Sequence, residues 1–110
     1  MTDFEQRRIG RTGVTVSSVG FGGVGLGQRV GQIDEAQADA TVKAAWDAGI
    51  RYFDTSPWYG HGLSEHRTGH MLRTLPRDEF VLSTKVGRIF HRPANLATFD
   101  TGSWQGGLPA

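Results

Sequence analysis

Asp54, Tyr59 and Lys85 bring a carboxylate, a phenol and an ammonium into one short part of this sequence. Asp54 closes an apolar run, residues 50–54, and Lys85 lies near the end of another, residues 80–86. Neighbouring parallel strands lie about 4.8 Å apart, so side chains at the same end of two strands can reach each other. Tyr59 follows five residues after Asp54 and can fold back over both. Three such groups held together can move a proton.

The positions of these side chains depend on a predicted alternation of strands and helices. β-Branched and aromatic residues between glycines predict a first strand over Val16–Gly22. Asp34 predicts a helix cap, Gln37 completes a capping box, and Gly49 predicts the end of that helix. The helix should cover the sheet with one small apolar face, formed by Ala38, Thr41, Val42, Ala45, Trp46 and Ala48.

The same pattern continues in the second half of the chain. Ile50–Asp54 predicts the second strand, and an irregular loop rich in glycine, serine and aromatic residues follows it. Ser64 predicts the cap of a second helix, which Pro76 should end. Gly69 inside this helix suggests that a neighbouring segment approaches closely. Phe80–Val86 predicts the third strand.

The order strand, helix, strand, helix, strand predicts a parallel sheet with right-handed crossovers. The predicted fold class is therefore α/β, with about three parallel strands and two helices. From Gly87 onward the sequence shows no clear period, and neither a covering helix nor a fourth strand is predicted. We therefore expect the chain to stop before the fourth strand and to leave one edge of the sheet unpaired.

The composition excludes several classes of function. With 110 residues, 37% of them hydrophobic and 21% charged, the chain is globular in character, and its net charge of +1 has no basic cluster that would track nucleic acid. No stretch approaches the roughly 18 apolar residues of a membrane helix. The start of the chain carries both charges and is unlike a secretory signal, and cysteine is absent. We expect a cytoplasmic protein without nucleic-acid or membrane partners.

The glycines that follow the first strand admit two interpretations. Gly20–Gly25 matches the G-x-G-x-x-G dinucleotide fingerprint, and Asp54 could serve as a ribose-binding acid. That fingerprint must open directly into a helix, whereas residues 26–33 intervene here. We favour the second interpretation, in which the glycines let a cofactor or substrate approach the end of the first strand.

Several segments of the sequence resemble the aldo-keto reductase family. The resemblance covers nearly the whole chain, and the segments after residue 58 are most similar to the branch of L-fucose, D-threo-aldose and pyridoxal dehydrogenases. The segments that carry it are Arg8–Gly13, Val16–Gly22, Gly49–Thr55, Trp58–Gly60 and Leu82–Lys85, with Tyr59–Arg67 and Lys85–Arg88 for the branch.

The resemblance implies a fold larger than this chain. The family fold is a (β/α)8 TIM barrel, and such barrels typically need about 250 residues. Residues 1–110 would thus be a partial oxidoreductase domain, the N-terminal part of an incomplete barrel that stops before the fourth strand. Most phosphate and adenine contacts in this family come from the C-terminal half of the barrel.

The resemblance also implies a reaction and a set of site residues. In this family hydride passes between the nicotinamide of NAD or NADP and an aldehyde, ketone or sugar hemiacetal. Tyr59 matches the proton donor and acceptor, Lys85 the cation beside it, and Asp54 the counter-ion of that cation. A free phenol has a pKa near 10, and a cation within about 4 to 6 Å lowers the pKa of a phenol. Gly22, Gly23 and Asp54 are the expected cofactor contacts, and Trp58 and Tyr59 the expected substrate contacts.

The family pattern includes a fourth residue, a histidine at the end of the next strand, which this chain does not reach. None of its four histidines, His61, His66, His70 and His91, can be assigned that role. His66 and His70 are spaced like a metal pair, but no third ligand is apparent, so no metal is predicted. Glu65–Arg67 is interpreted as a solvated start of the second helix.

Simpler interpretations stand beside the catalytic one. Asp54 alone could be a turn residue, and Tyr59 a half-buried packing residue. We expect negligible turnover from the isolated chain, because an open parallel edge forgoes the closure that stabilises a barrel. The alternatives are a non-catalytic assembly unit that pairs through the open sheet edge and a fragment without function. The substrate, the choice of NAD or NADP and the oligomeric state are left open.

Overall fold

A computed structural model of the chain describes residues 3–28, 31–92, 94, 95 and 97. Five short strands and two α-helices lie within these residues, together with two 3-10 helices, Gly23–Gly27 and Arg77–Glu79. In chain order the strands and α-helices are β1 (Gln6–Arg8), β2 (Thr15–Ser17), β3 (Phe21–Gly22), α1 (Glu35–Asp47), β4 (Tyr52–Asp54), α2 (Leu63–Leu72) and β5 (Val81–Ser83).

The predicted parallel sheet is present. Its strand order is β3-β4-β5, and both pairings are parallel. In register, Gly22 lies beside Asp54, and Asp54 lies beside Ser83. These positions are the last residues of their strands, so the carboxyl ends of all three strands lie at one edge of the sheet. The third strand is shorter than the predicted Phe80–Val86 and covers Val81–Ser83.

The predicted first strand, Val16–Gly22, is wrong as a single element. Its first part is β2, which pairs antiparallel with β1 in a hairpin that the sequence pattern did not predict. Its last two residues form β3 of the parallel sheet. Ser17 marks the break, since its hydroxyl donates to the carbonyl of Val19 at 2.8 Å and accepts from the backbone N–H of Arg51 at 3.1 Å. A side chain that bonds its own backbone nearby competes with the strand ladder.

Helix α1 begins as the sequence predicts. The carboxylate of Asp34 accepts from the backbone N–H of Gln37, and the Gln37 side chain returns a bond to the backbone of Asp34, which completes the capping box. The predicted apolar face is only partly correct. Ala38 and Val42 are buried, and Ala45 and Trp46 pack against the core, but Thr41 and Ala48 are exposed.

Helix α2 differs from its prediction at both ends. It begins at Leu63, after Gly62 with a φ of 95°, so Ser64 lies inside the first turn and does not cap it. Ser64 is instead buried, and its hydroxyl donates to the carbonyl of Gly23 at 2.7 Å. The helix ends at Leu72, before Pro76. The expected close approach at Gly69 is also wrong, because a Cβ there would meet no atom within 4 Å.

The core lies between the sheet and the two helices. It consists of buried Leu26, Ala38, Val42, Phe53, Leu72 and Phe80. Leu82 pairs in register with buried Phe53 and therefore shares the helix-facing side of the sheet, yet it is 41% exposed. No helix within the described residues covers it. Neither α-helix in this part of the chain combines the length and apolar character that a bilayer crossing requires.

Candidate active site

The carboxyl ends of β4 and β5 bring Asp54 and Lys85 together. Asp54 is the last residue of β4, and Lys85 follows two residues after the end of β5. A backbone bond from the N–H of Thr55 to the carbonyl of Ser83, 3.0 Å long, continues the strand pairing past Asp54. The Lys85 ammonium donates to the Asp54 carboxylate at 2.5 Å and to the carbonyl of Thr55 at 3.0 Å.

Tyr59 reaches the same place from the loop after β4. The Lys85 ammonium nitrogen lies 5.2 Å from the centre of the Tyr59 ring. Two backbone bonds fix the position of this loop: the N–H of Tyr59 donates to Ser56 at 3.1 Å, and its carbonyl accepts from the N–H of Ser64 at 3.0 Å. The structure therefore gathers the three residues that the sequence singled out, with the ammonium near both the carboxylate and the phenol ring.

Ser83 is a member of the site that sequence reasoning missed. Its hydroxyl donates to the second carboxylate oxygen of Asp54 at 2.6 Å, and it shares a 3.0 Å hydrogen bond with the hydroxyl of Tyr52. Side chains alternate between the two faces of a strand, so residues in register on neighbouring parallel strands share a face. The register of Asp54 with Ser83 follows from that rule once the strand ends are known. The sequence predicted the end of the third strand at Val86, three residues after its actual end at Ser83.

The surroundings of Asp54 and Lys85 stabilise the charged form of both groups. Burial alone would raise the pKa of Asp54, but the hydrogen bonds from Lys85 and Ser83 and the charge of Lys85 outweigh it, so the pKa lies below its usual 3.8. The hydrogen bond to Asp54 raises the pKa of Lys85 above its usual 10.5, although burial opposes the change. Both side chains remain partly exposed, which leaves the ammonium accessible to solvent.

The glycines after β3 have separate roles. Gly22 is exposed, lies beside Asp54, and has open space where a Cβ would be. Gly23 is buried, and a Cβ there would come within 2.7 Å of the Ser64 hydroxyl. A Cβ on Gly27 would come within 2.5 Å of the backbone of Tyr59. Gly23 and Gly27 thus let the first 3-10 helix pack directly on α2 and on the Tyr59 loop, while Gly22 leaves room at the strand end.

The predicted solvated start of α2, Glu65–Arg67, is wrong at Arg67. It is 4% exposed, and its guanidinium donates to the carbonyl of Leu26 at 2.9 Å, the carbonyl of Ile33 at 3.0 Å and the carboxylate of Glu35 at 2.8 Å. Three segments are therefore tied to one helix by a single side chain. Helical periodicity gave no signal for this burial, because an arginine on an amphipathic helix normally faces water.

Three other polar residues of α2, Glu65, His66 and His70, lie nearer to solvent than Arg67. His66 and His70 are both exposed, and His70 shares a 2.9 Å hydrogen bond with Asp39. Glu65 accepts a 2.6 Å hydrogen bond from the Thr84 hydroxyl. Across the part of the chain that the structure describes, no group of three or more histidine, aspartate or glutamate side chains is arranged to hold a metal ion.

A cavity of about 250 Å³ opens beside Tyr59 and Lys85. Aromatic side chains form a cluster at one side of it: the Phe90 ring stacks on the Trp58 ring at 5.8 Å, and His61 lies 4.6 Å from Phe90. The lining residues are Ser56, Pro57, Trp58, Tyr59, Lys85, Val86 and Arg88. Tyr59 and Lys85 therefore form part of the cavity wall, together with the aromatic Trp58 and the basic Arg88.

Comparison with known proteins identifies relatives over most of the chain. Residues 18–108 match the Aldo/keto reductase family. Over 85 residues the chain is 51% identical to a pyridoxal 4-dehydrogenase of Microbacterium luteolum, and over 91 residues 47% identical to a D-threo-aldose 1-dehydrogenase of a Pseudomonas species. These matches cover 77% and 78% of this chain but 25% and 28% of the relatives. The chain therefore spans about a quarter of the length of the curated relatives it matches.

Solved structures agree with the sequence relatives. An aldo-keto reductase from Bacillus halodurans, in its holo form, superimposes with a TM-score of 0.70 at 33% identity, over 80% of this chain and 28% of that protein. The predicted fold class, the N-terminal part of a (β/α)8 barrel, is thereby confirmed, and the described residues form no closed barrel. Two of the dehydrogenase types expected from the sequence are among the named relatives. The chain belongs to the aldo/keto reductase family.

Proposed function

We propose that this chain is the partial, N-terminal section, residues 1–110, of an NAD- or NADP-dependent oxidoreductase that acts on an aldehyde, a ketone or a sugar hemiacetal. One observation carries the proposal: at the carboxyl ends of parallel strands the Lys85 ammonium bonds the Asp54 carboxylate and lies 5.2 Å from the centre of the Tyr59 ring. Active sites of (β/α)8 enzymes lie at that end of the barrel. Family membership supports the class of reaction.

In this proposal Tyr59 exchanges the proton with the substrate oxygen. The ammonium of Lys85 stabilises the negative charge that the Tyr59 oxygen carries when its proton has left. Asp54 holds the ammonium in position and keeps it charged. Ser83, bonded to the other carboxylate oxygen, fixes the orientation of Asp54. Asp54 and Ser83 are therefore positioning residues, and Tyr59 is the catalytic residue.

The rim of the sheet has features that fit a nicotinamide cofactor. Gly22 exposes backbone with open space above it, directly beside Asp54, so a flat ring can approach there without meeting a side chain. Gly22, Asp54 and the backbone of Gly23 are the residues of this chain that would hold it. When bound, the nicotinamide supplies or accepts the hydride.

The substrate is proposed to occupy the cavity beside Tyr59. Trp58 and Tyr59 contribute its aromatic surface, and the named relatives include dehydrogenases of pyridoxal, D-threo-aldose and L-galactose. A small ring compound that carries an aldehyde or a hemiacetal fits such a surface. No metal is proposed in the reaction.

The direct test is Tyr59→Phe in the complete oxidoreductase of which this chain is proposed to be the N-terminal section. Reduction of a panel of aldehydes, followed by nicotinamide absorbance, should fall in kcat by about 100-fold or more, because proton transfer by a positioned side chain contributes about that much. Tyr52→Phe is the matched control, since it removes a hydroxyl on the same sheet face and should cost less than about tenfold. Equal losses in the two variants would refute the role of Tyr59.

For the 110-residue chain alone we propose negligible turnover, as well as a cytoplasmic location. The alternative is a non-catalytic unit that assembles through the edge of its sheet. β5 pairs only with β4 within the described residues, and Leu82 is exposed on the helix-facing side, which favours this second candidate. Sedimentation separates the two. A defined oligomer that unfolds cooperatively would support assembly, whereas a monomer that binds NADH or NADPH would support retained enzyme character.

A further inference from the structure

Arg88 occupies an unusual position on the wall of the cavity. Its guanidinium carbon lies 4.8 Å from the centre of the Trp58 ring, and Trp58 is in turn stacked by Phe90. Cation–π contact of this kind restricts a long side chain without using its N–H groups. In the part of the chain that the structure describes, no carboxylate or carbonyl accepts a hydrogen bond from this guanidinium. Among the described residues the Arg88 donors are thus unused, and Arg88 lines the same cavity as Tyr59 and Lys85.

The charge of the cavity wall is also unbalanced. Lys85 is paired with Asp54, which does not line the cavity. None of the described residues that line the cavity is acidic, so no carboxylate among them offsets the charge of Arg88 there. A guanidinium presents its donors in a planar fork that matches the two oxygens of a carboxylate or phosphate.

We propose that Arg88 is a specificity-determining residue that binds a carboxylate or phosphate group on the carbonyl substrate. The carbonyl would lie at the Tyr59 and Lys85 side of the cavity, and the anionic group at the Arg88 side. The Trp58 ring holds the guanidinium in place before the substrate arrives, which reduces the entropy lost on binding. This inference rests on the proposed function, and it adds a substrate class, small anionic carbonyl compounds, that family membership does not specify.

The test compares two aldehydes of the same shape, 4-formylbenzoate and 4-formylbenzamide, in the protein as its gene encodes it. The unmodified protein should prefer the benzoate by about tenfold in kcat/KM, mainly through KM, since a charge-assisted hydrogen bond is worth about that factor. Arg88→Met should reduce the ratio to near one, mainly by raising KM for the benzoate more than for the benzamide. Arg88→Lys should retain part of the preference, because it keeps the charge and loses the fork.

Arg92→Met is the control for net charge. Arg92 is exposed and does not line the cavity, so this variant should keep the preference of the unmodified protein. A ratio near one in the unmodified protein, or a ratio that Arg88→Met leaves unchanged, would overturn the proposal. A raised KM for NADPH with an unchanged aldehyde ratio would also overturn it and would assign Arg88 to a cofactor phosphate.

Failure of the proposed function gives a different result. If neither aldehyde is reduced by any variant, the oxidoreductase activity has failed while the anion site remains testable. Calorimetric binding of 4-formylbenzoate should then still weaken about tenfold in Arg88→Met and remain unchanged in Arg92→Met. Equal binding by all three proteins would refute the anion site independently of turnover.

Discussion

Lys85 and Arg67 are both cations held by a carboxylate, but their surroundings are opposite. The Arg67 side chain is 5% exposed and donates to two backbone carbonyls in addition to Glu35. The Lys85 side chain is 46% exposed, and its ammonium faces the Tyr59 ring and the cavity. The donors of Arg67 are used within the fold, whereas the Lys85 ammonium remains accessible to a ligand.

The difference separates a structural clamp from a reactive group. Arg67 joins α2 to the first 3-10 helix and to the segment before α1, and that 3-10 helix packs through Gly27 on the backbone of Tyr59. The hydrogen bonds of Lys85 within the described residues join the ends of β4 and β5. Loss of Arg67 should therefore affect folding first, and loss of Lys85 should affect chemistry first. The identity of the charged residue does not decide its role, whereas the acceptors around it do.

Arg67→Met should produce the largest change in stability. Methionine fills much of the space but leaves the carbonyls of Leu26 and Ile33 without their donor, so we expect the free energy of unfolding to fall by about 3 kcal/mol. Urea unfolding followed by circular dichroism measures it. Glu35→Gln is the control, because the Glu35 side chain is 67% exposed and an exposed pair contributes less than about 1 kcal/mol. Equal losses in both variants would show that the ion pair, and not the carbonyls, stabilises the fold.

Lys85→Met should show the opposite pattern. In the complete oxidoreductase proposed above, removal of a preorganised charge at the reacting oxygen should lower kcat by about 100-fold, while the free energy of unfolding changes by less than about 1 kcal/mol. Steady-state aldehyde reduction and urea unfolding on the same protein provide the two numbers. Lys43→Met is the control, since Lys43 pairs with Asp47 on the exposed face of α1 and should affect neither. A large loss of stability without loss of kcat would make Lys85 a clamp like Arg67.

The sequence predicted the parallel sheet and the Asp54–Lys85 meeting because both follow from local signals. The Asp34–Gln37 capping box sets where α1 begins, and the apolar runs before Asp54 and Lys85 set the two strands. Residues at the ends of neighbouring parallel strands must then come close. These inferences need no knowledge of distant contacts.

The parts that were missed depend on contacts between residues distant in sequence. Ser64 looks like a helix cap by type, but its hydroxyl is used by Gly23, 41 positions earlier. Arg67 looks like a surface residue by helical periodicity, but it is surrounded by carbonyls from the segment 26–33. The Val16–Gly22 strand was misjudged because its residue types suit a strand throughout, while the break at Ser17 depends on a bond to Arg51. Residue type and spacing carry no information about such partners.

Ser83→Ala should give the smallest change in stability, and it tests how much Ser83 supports the Asp54–Lys85 pair. The hydrogen bond from Ser83 lowers the pKa of Asp54, so its removal should raise that pKa toward the usual 3.8, as a carboxyl NMR titration of Asp54 would show. A carboxylate with a lowered folded-state pKa contributes stability above its unfolded value and loses it as the pH falls through the folded value. The contribution of Asp54 should therefore shrink in Ser83→Ala, by about 1 kcal/mol or less, and disappear at a higher pH.

The free energy of unfolding measured at alkaline pH supplies the internal control for Ser83→Ala. The raised pKa of Lys85 contributes stability that is present below 10.5 and is lost as the pH rises through the folded value. Ser83 bonds Asp54 and Tyr52 but not Lys85, so the alkaline limb should move far less than the acid limb. An equal shift of both limbs would mean that the serine sets the whole geometry of the pair. An unshifted acid limb would mean that Lys85 alone holds the carboxylate.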